Sequence, residues 1–258
     1  MTYCLAIATH EGLVFCSDSR TNAGPDVLST YSKMHSYALD NERLVVLLSA
    51  GNLATTQAVI SQIDSDLEEG AETSLKTCQK MSDVANYVGK ISREQQREVD
   101  ESTGDSDIDV SASFIVGGQI AGADPHVYLV YPAGNHISYS EATPYLQIGE
   151  SKYGKPILDR ILSLDTCLED AARCALVSMD STLRANATVG PPVEILVYDR
   201  DSFGADHRFS LSGEDSYLLT LNKAWNEALK EAFMNLPRFH WQERSATLVE
   251  APPLAKRD

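Results

Sequence analysis

The first part of the chain alternates between short apolar runs and polar turns, a pattern that predicts paired strands. Residues 3 to 9 and 12 to 19 are β-branched, aromatic and otherwise apolar, and the short turn between them indicates a hairpin. Both runs are apolar on both faces, so we expect this hairpin to lie between two layers. A polar loop over residues 22 to 26 precedes a second strand pair, Lys33 to Leu39 and Arg43 to Ser49.

After Gly51 the apolar spacing changes from the period of a strand to that of a helix. Two helices are predicted there, with apolar stripes formed by Thr56, Val59, Ile60, Ile63 and Leu67 and by Val84, Tyr87, Val88 and Ile91. The acidic stretch from Glu98 to Asp109 is interpreted as a mobile loop. Strand patterns return over residues 110 to 118, 127 to 131 and 136 to 139.

The last third of the chain predicts two more helices, strands over 193 to 198 and 207 to 211, and a final helix that ends before Pro237. Thr166 and Glu169 have the spacing of a capping box for the second of these helices. Runs of strands and pairs of helices, without β-α-β alternation, favour an α+β fold. We expect a four-layer α/β/β/α sandwich of two antiparallel sheets over residues 1–236, followed by a C-terminal extension over 237–258.

Composition and charge exclude several classes of function. The 258 residues include 37 acidic and 21 basic side chains, which gives a net charge of −16. Such a surface repels nucleic acid and anionic lipid, so we expect neither as a partner. No apolar stretch reaches the length of a membrane span, and the N-terminus lacks the basic region of a secretory signal. These features predict a cytoplasmic protein.

Metal and cofactor chemistry find little support in the sequence. The five cysteines form no C-x-x-C pair and the six histidines show no ligand spacing, so we expect no metal and no cofactor. The acidic group Asp64, Asp66, Glu68 and Glu69 is better interpreted as a solvated helix end than as a cation site. The aromatic segment over residues 239–241 is either an assembly contact or a tail that docks within the chain.

One set of residues near the ends of the first strands has the types needed for hydrolysis. Methionine aminopeptidase removes Met1 when the second residue is small, so we expect the mature chain to begin at Thr2. A free N-terminal Thr carries its own base, because an α-amine has a pKa of about 7.7–8.0. A Lys such as Lys33 would lower that pKa, and an Asp such as Asp18 would hold the Lys in place. By residue type alone, however, a turn Asp and a solvated Lys are the stronger explanation of the pattern.

A family resemblance adds to this interpretation. The run Gly12-Leu-Val-Phe-Cys-Ser-Asp-Ser-Arg20 resembles the strand of proteasome β-type subunits that ends in an Ala-Asp-Ser-Arg-like segment. Lys33 is similar in position to their active-site Lys, and Ser49-Ala50-Gly51 resembles their oxyanion-hole turn. The resemblance covers roughly residues 2 to 235. Within the superfamily of N-terminal nucleophile hydrolases, the chain is most similar to the bacterial proteasome-related proteins called Anbu.

The resemblance implies a role for each matching residue. Thr2 would be the nucleophile and its α-amine, directly or through a water, the general base. Lys33 would lower the pKa of the Thr2 amine and hydroxyl, and Asp18 would pair with Lys33. The N–H of Gly51 would stabilise the oxyanion, a contribution of about 3 kcal/mol. Substrate contacts are implied at Ser49, which would line the side-chain pocket, and at Asn22, which would pair with the peptide backbone.

Two segments depart from the family pattern. Active subunits have a Gly-Ser-Gly-Ser-like turn whose Ser bonds the N-terminal amine, and either Glu150 or Ser151 occupies that position here. They also have an Asp-x-x-Ser-Gly segment, which here carries Asn186 and Val189. Asn186 has no charge, and Val189 has no side-chain hydrogen bond to offer. The second half of the site is therefore weaker than in the family.

The sequence thus predicts a threonine-type peptidase or amide hydrolase that acts on peptides or proteins and assembles into a ring or an open helical oligomer. The chain contains no nucleotide-binding motif, so any ATP-driven delivery of substrate requires a separate partner. Two alternatives stay open. One is a catalytically weak or inactive assembly or binding protein that retains the fold, and the other is an amidase for a small amide.

Overall fold

The computed structural model of the protein describes residues 1–22, 28–103 and 108–241. The strands in this part of the chain are β1 Tyr3–Ala8, β2 Gly12–Asp18, β3 Arg20–Asn22, β4 Leu28–Thr30, β5 Met34–Leu39, β6 Arg43–Gly51, β7 Ala112–Ile120, β8 His126–Val130, β9 His136–Ser138, β10 Tyr145–Gly149, β11 Val193–Asp199 and β12 Arg208–Leu211. The helices are α1 Leu53–Glu69, α2 Met81–Thr103, α3 Lys155–Ile161, α4 Leu168–Ala185 and α5 Ser216–Met234.

The strands form two five-stranded sheets and one short ribbon. The first sheet has the order β10-β1-β2-β11-β12 and the second β5-β6-β7-β8-β9, while β3 and β4 pair separately. Every neighbouring pair is antiparallel. Two antiparallel sheets were expected from the hairpin-like spacing of the strands, and this prediction is confirmed.

Three apolar clusters separate the layers of the fold. One lies between the two sheets, one packs α1 and α2 on the second sheet, and one packs α3 and α4 on the first. The strand β1 is buried on both faces. Its odd positions, Tyr3 to Ile7, pack beneath the helices, and its even positions, Cys4 to Ala8, face the second sheet. The predicted four-layer α/β/β/α sandwich is therefore confirmed.

Several local predictions differ from the structure. The strand β10 and the β3–β4 ribbon were not predicted, because neither segment has a long alternating pattern. The helix α2 continues to Thr103, so the prediction of a loop from Glu98 onward is wrong over residues 98–103. An acidic, polar sequence suits a helix whose end is solvated. Residues 104–107 of that predicted loop lie outside the described residues.

The predicted capping box of α4 is also wrong. The helix begins at Leu168, and its N-cap residue Cys167 makes no side-chain cap. Thr166 instead accepts a hydrogen bond from the N–H of Ser163 at 2.9 Å. The backbone N–H of Leu168, at the first residue of the helix, donates to the Glu11 carboxylate at 2.9 Å. A residue in the β1–β2 turn therefore provides the negative charge that a helix N-terminus favours.

The chain divides into two compact units, Met1–Asn222 and Lys223–Asp258. The predicted domain boundary after residue 236 stays a prediction. In the second unit, the described residues expose several large apolar side chains. These are Leu229, Phe233, Met234, Leu236, Phe239 and Trp241. No helix among the described residues of the chain has the length and apolar character needed to cross a bilayer.

Gly149 fixes the position of the N-terminus against the first sheet. It pairs with Tyr3 at the end of β10 and has a φ of +81°. A Cβ at this position would lie 1.9 Å from the carbonyl oxygen of Thr2. The next residue, Glu150, donates its backbone N–H to that same oxygen at 2.7 Å. Only glycine allows this close approach without a shift of the backbone.

We expect Gly149→Ala to destabilise the protein far more than Gly122→Ala. Gly122 has a similar φ of +82°, but a Cβ added there would meet no other atom within 4 Å. Gly122→Ala should therefore cost only the left-handed backbone strain, about 1–2 kcal/mol. Gly149→Ala adds a clash with Thr2 and should cost about 2–4 kcal/mol. Equal losses in urea unfolding would show that the N-terminal contact does not matter.

Candidate active site

Asp18 is the centre of the hydrogen-bond network at the N-terminus. It ends β2, opposite the start of β1, and is fully buried. Its Oδ1 accepts hydrogen bonds from the N–H of Tyr3 at 3.0 Å and from Lys33 Nζ at 2.7 Å. Its Oδ2 accepts from the N–H of Gly190 at 3.2 Å. These donors stabilise the ionised carboxylate in a place that water does not reach.

Lys33 reaches Asp18 from the second sheet. It directly precedes β5 and is only 7% exposed. Its ammonium group also donates to the backbone carbonyl of Arg20 at 2.8 Å. The carbonyl of Lys33 accepts from the N–H of Ser49 at 3.0 Å, which ties the residue to the end of β6. The ion pair therefore joins the two sheets at one end of the sandwich.

The surroundings shift the pKa values of the buried groups. Burial raises the pKa of Asp18, while the Lys33 ammonium and the backbone N–H donors oppose that effect. Burial, followed by the charge of Lys33, lowers the pKa of the Met1 α-amine below its usual 8.0, and Asp18 partly opposes this. An amine with a lowered pKa is neutral, and thus able to accept a proton, over more of the physiological pH range.

The end of β6 forms the opposite wall of the site. Gly51 has a φ of +120°, and a Cβ there would lie 2.2 Å from the carbonyl oxygen of Ser111. Ser49 is buried two residues earlier. Thr2, Lys33, Ser49 and Gly51 all line one cavity of about 700 Å³. Asn52, which directly follows Gly51, caps the first turn of α1.

The sequence-predicted residues divide into two groups in the structure. Thr2, Asp18, Lys33, Ser49 and Gly51 come together at the cavity or directly beneath it. Two further predicted residues, Asn22 and Ser151, are less closely connected. Asn22 lies in β3, and its side chain is outside the described part of the chain. Within that part, Ser151 uses its backbone carbonyl to accept from Lys155, and its hydroxyl has no hydrogen bond.

The N-terminal residues also contact a pair that the sequence did not assign as a unit, Glu150 and Asn186. Glu150 is buried, and Asn186 Nδ2 donates to its carboxylate at 3.2 Å. Of the two residues left open by the sequence, the structure places Glu150 in this contact. The sequence signal for this pair was that both positions depart from the family pattern. Val189 is buried in the apolar cluster beneath α4, as its side chain requires.

Other candidate chemistry is absent from the described residues. No group of three or more His, Cys, Asp or Glu there is arranged to hold a metal ion. Cys4 and Cys16 on the β1–β2 hairpin are fully buried, and burial raises the pKa of both thiols. A buried thiol with a raised pKa is a poor nucleophile. These cysteines are best explained by packing between the layers.

Comparison with known proteins agrees with this fold. The family model described as "Proteasome subunit" matches residues 2–198. No curated protein matches the chain.

Solved structures match almost the whole chain. Anbu (ancestral beta-subunit) from Yersinia bercovieri is 42% identical, with a TM-score of 0.86, over 92% of this chain and 98% of that one. The helical assembly of the Anbu complex from Pseudomonas aeruginosa is 43% identical, with a TM-score of 0.88, over 94% and 100%. Anbu from Hyphomicrobium sp. strain MC1 is 42% identical, with a TM-score of 0.84, over 92% and 99%. The chain therefore belongs to the proteasome subunit family, and within it to the Anbu proteins.

We expect Asp18→Asn to destabilise the protein strongly. The substitution leaves the Lys33 ammonium buried without a counter-charge, which typically costs about 3–5 kcal/mol. The matched control is Asp40→Asn, because Asp40 forms an ion pair of 2.8 Å with Lys76 in which both side chains are more than half exposed. This control should lose less than about 1 kcal/mol. Urea unfolding measures both losses, and a small loss at Asp18 would contradict the prediction.

Proposed function

We propose that the protein is an N-terminal threonine hydrolase of the proteasome type, which cleaves peptide or amide bonds after removal of Met1. One observation carries this proposal. The N-terminal segment, the Asp18–Lys33 pair and the Gly51 turn meet at one cavity. Each of these groups corresponds to a step of amide hydrolysis. The family membership supports the same reaction class.

In the proposed reaction, the neutral α-amine of Thr2 takes the proton from its own hydroxyl, directly or through a water. The hydroxyl oxygen then attacks the substrate carbonyl carbon, and the carbonyl π electrons move to oxygen. The N–H of Gly51 stabilises that oxyanion. The amine next gives its proton to the leaving nitrogen as the carbon–nitrogen bond breaks. Water hydrolyses the resulting ester and restores Thr2.

Removal of Met1 is essential to this mechanism. In the chain that begins with Met1, the nitrogen of Thr2 is part of a peptide bond and has no basic lone pair. Met1 and Thr2 both line the cavity, so removing Met1 would leave the new amine near Lys33. We expect the influence of Lys33 on the first amine to act on this second amine as well. The substrate is proposed to be a peptide or protein and the location cytoplasmic.

We expect an electrophile directed at N-terminal Thr to label the Met1-free protein, because Thr2 then carries both nucleophile and base. Burial and the charge of Lys33 lower the pKa of the Met1 amine, and we expect the same direction for the Thr2 amine. The labelling rate should therefore rise with pH through a pKa below the value usual for an α-amine. Thr2→Ala should abolish the labelling, and Thr2→Ser should retain it. Intact mass spectrometry measures the adduct, and Thr143→Ala, at a half-buried position paired with Ser140 and outside the cavity lining, serves as the control.

The same experiment separates the alternatives. A Met1-free protein that folds but takes no label would favour the second candidate, an assembly or binding protein without activity. The uncharged Asn186 and the apolar Val189 favour that candidate. If labelling occurs, substrate profiling with peptides and small amides separates a peptidase from a small-amide amidase.

Self-association is proposed for either candidate. The relative from Pseudomonas aeruginosa is described as a helical assembly, and the second unit of this chain exposes the large apolar side chains named above. A group of several exposed, large apolar side chains is typical of an interaction surface. We propose that this surface contributes to a ring or open helical oligomer.

We expect Phe233→Ser to weaken the assembly, because Phe233 is 70% exposed in this cluster and its burial between copies would be lost. Phe209→Ser is the matched control, since Phe209 is 52% exposed on β12. Sedimentation velocity should show smaller species for the first variant and unchanged species for the second. Unchanged assembly in both variants would place the interface elsewhere.

A further inference from the structure

A second ion pair joins the two sheets close to Lys33. Glu194 in β11 and Arg208 in β12 both belong to the first sheet, and Arg208 Nη2 lies 2.9 Å from Glu194 Oε2. Only 12% of the Glu194 side chain and 32% of the Arg208 side chain are exposed. Arg208 also reaches the second sheet, where it bonds to the first residue of β5. The proposed mechanism uses neither residue.

The position of β5 at the edge of its sheet explains this contact. An edge strand leaves alternate backbone groups without a partner strand. The carbonyl of Lys33 accepts from the N–H of Ser49 in β6 at 3.0 Å. The next residue, Met34, bonds on the other side. Its carbonyl accepts from Arg208 Nη2 at 2.8 Å, and its N–H donates to Ser32 Oγ at 3.3 Å. The backbone at Lys33 is thus held by β6 on one side and by Arg208 on the other.

Ser32 connects the residue before Lys33 to the same ion pair. Its hydroxyl oxygen lies 2.8 Å from Glu194 Oε2 and 2.9 Å from the carbonyl oxygen of Met34. The single hydroxyl proton can be donated to either of these oxygens. Arg208 Nη2 lies 3.3 Å from the same hydroxyl. The residues on both sides of Lys33 are therefore bonded to the Glu194–Arg208 pair, which we call the clamp.

The clamp and Asp18 hold Lys33 from the same sheet. Glu194 lies opposite Ser17 in the pairing of β11 with β2, one residue away from Asp18. Asp18 binds the ammonium group of Lys33 at 2.7 Å, and the clamp binds the backbone on both sides of it. A Lys side chain has a flexible four-carbon stem. A fixed backbone therefore limits the positions that the ammonium group can reach.

We propose that Glu194 and Arg208 are positioning residues that act through Lys33, by fixing its backbone so that its ammonium group stays beside the N-terminal amine of the mature chain. The inference rests on the proposed function only in that Thr2 becomes the first residue. Burial and the charge of Lys33 lower the pKa of the Met1 amine, and we expect the same direction for Thr2. Without the clamp, Lys33 gains freedom to move towards solvent, and the amine keeps its proton to a higher pH.

The other charged groups near the amine come from different elements. Asp18 ends β2, Arg20 begins β3 and Glu150 follows β10, and none of their described hydrogen bonds involves the clamp. Burial, followed by the charge of Arg208, lowers the pKa of His35 in the cavity wall. Loss of Arg208 would make His35 easier to protonate, and a protonated His35 would lower the pKa of the amine. A rise in the amine pKa therefore does not come from His35.

The test is a direct titration of the Thr2 amine in variants that keep the net charge. Cleavage of an N-terminal fusion yields the Met1-free protein, and trace acetylation at a series of pH values gives the amine pKa from the mass of the N-terminal peptide. Glu194→Gln/Arg208→Met removes one charge of each sign, and Ser32→Ala removes only a hydroxyl. We expect the amine pKa to rise by about half a unit in the double variant and by less in Ser32→Ala, because the charge of Lys33 moves away.

Two further variants separate positioning from a merely structural role. Ser36→Ala is the matched control, since Ser36 accepts from Arg208 Nη1 at 3.3 Å but does not adjoin Lys33; its amine pKa should equal that of the wild type. Arg208→Lys keeps the charge and one donor, and its pKa should fall between those of the wild type and the double variant. Urea unfolding of each variant reports the cost to stability.

A loss of stability without any rise in the amine pKa would overturn the proposal, because the clamp would then support only the fold. If the double variant does not fold, Ser32→Ala and Arg208→Lys decide the question in the same way. The titration requires no hydrolytic activity. Failure of the proposed function therefore shows separately, as absence of label on the Thr2 hydroxyl of the wild-type protein.

Discussion

The buried ion pair between Asp18 and Lys33 is the interaction on which the rest of the site depends. Removing both charges from water is costly, and the cost is offset only if the geometry is good and the remaining polar atoms are bonded. The structure meets this demand with the N–H groups of Tyr3 and Gly190 and the carbonyl of Arg20. These partners come from different parts of the chain. The pair therefore specifies how the two sheets meet at the N-terminus.

Thr2, the proposed nucleophile, takes its position from the core. Thr2 immediately precedes β1, a strand buried on both faces, so the packing of two apolar layers holds the first residues in register. The N–H of Tyr3 bonds to Asp18 and the carbonyl of Thr2 bonds to the N–H of Glu150. A chain terminus normally frays. Here it is bound from both sides, which is what a reaction at the first residue requires.

The sequence-based predictions are accurate for features that depend on neighbouring residues. They miss features that join residues far apart along the chain. The β1–β2 hairpin and the helical stripe of α1 follow from local periodicity, and the positions of Asp18 and Lys33 follow from strand ends. The strand β10, the contact of Glu150 with Asn186 and the cap of α4 by Glu11 join residues far apart in sequence. No local pattern encodes such pairs. The capping box at Thr166 had the right spacing, but the Ser163 turn used its hydroxyl instead.

The cap provided by Glu11 has a consequence for how this chain can vary in length. The helix α4 is bonded to the hairpin turn at its first residue and, through Asn186 and Glu150, lies beside Thr2 at its other end. Between them, the Tyr3 hydroxyl bonds to Ser178 at 2.7 Å. An 18-residue helix is about 27 Å long, and the six residues of β1 span about 20 Å, with the turn that carries Glu11 beyond them. An insertion or deletion in either segment would move one end out of reach, so the helix and the strand can change length only together.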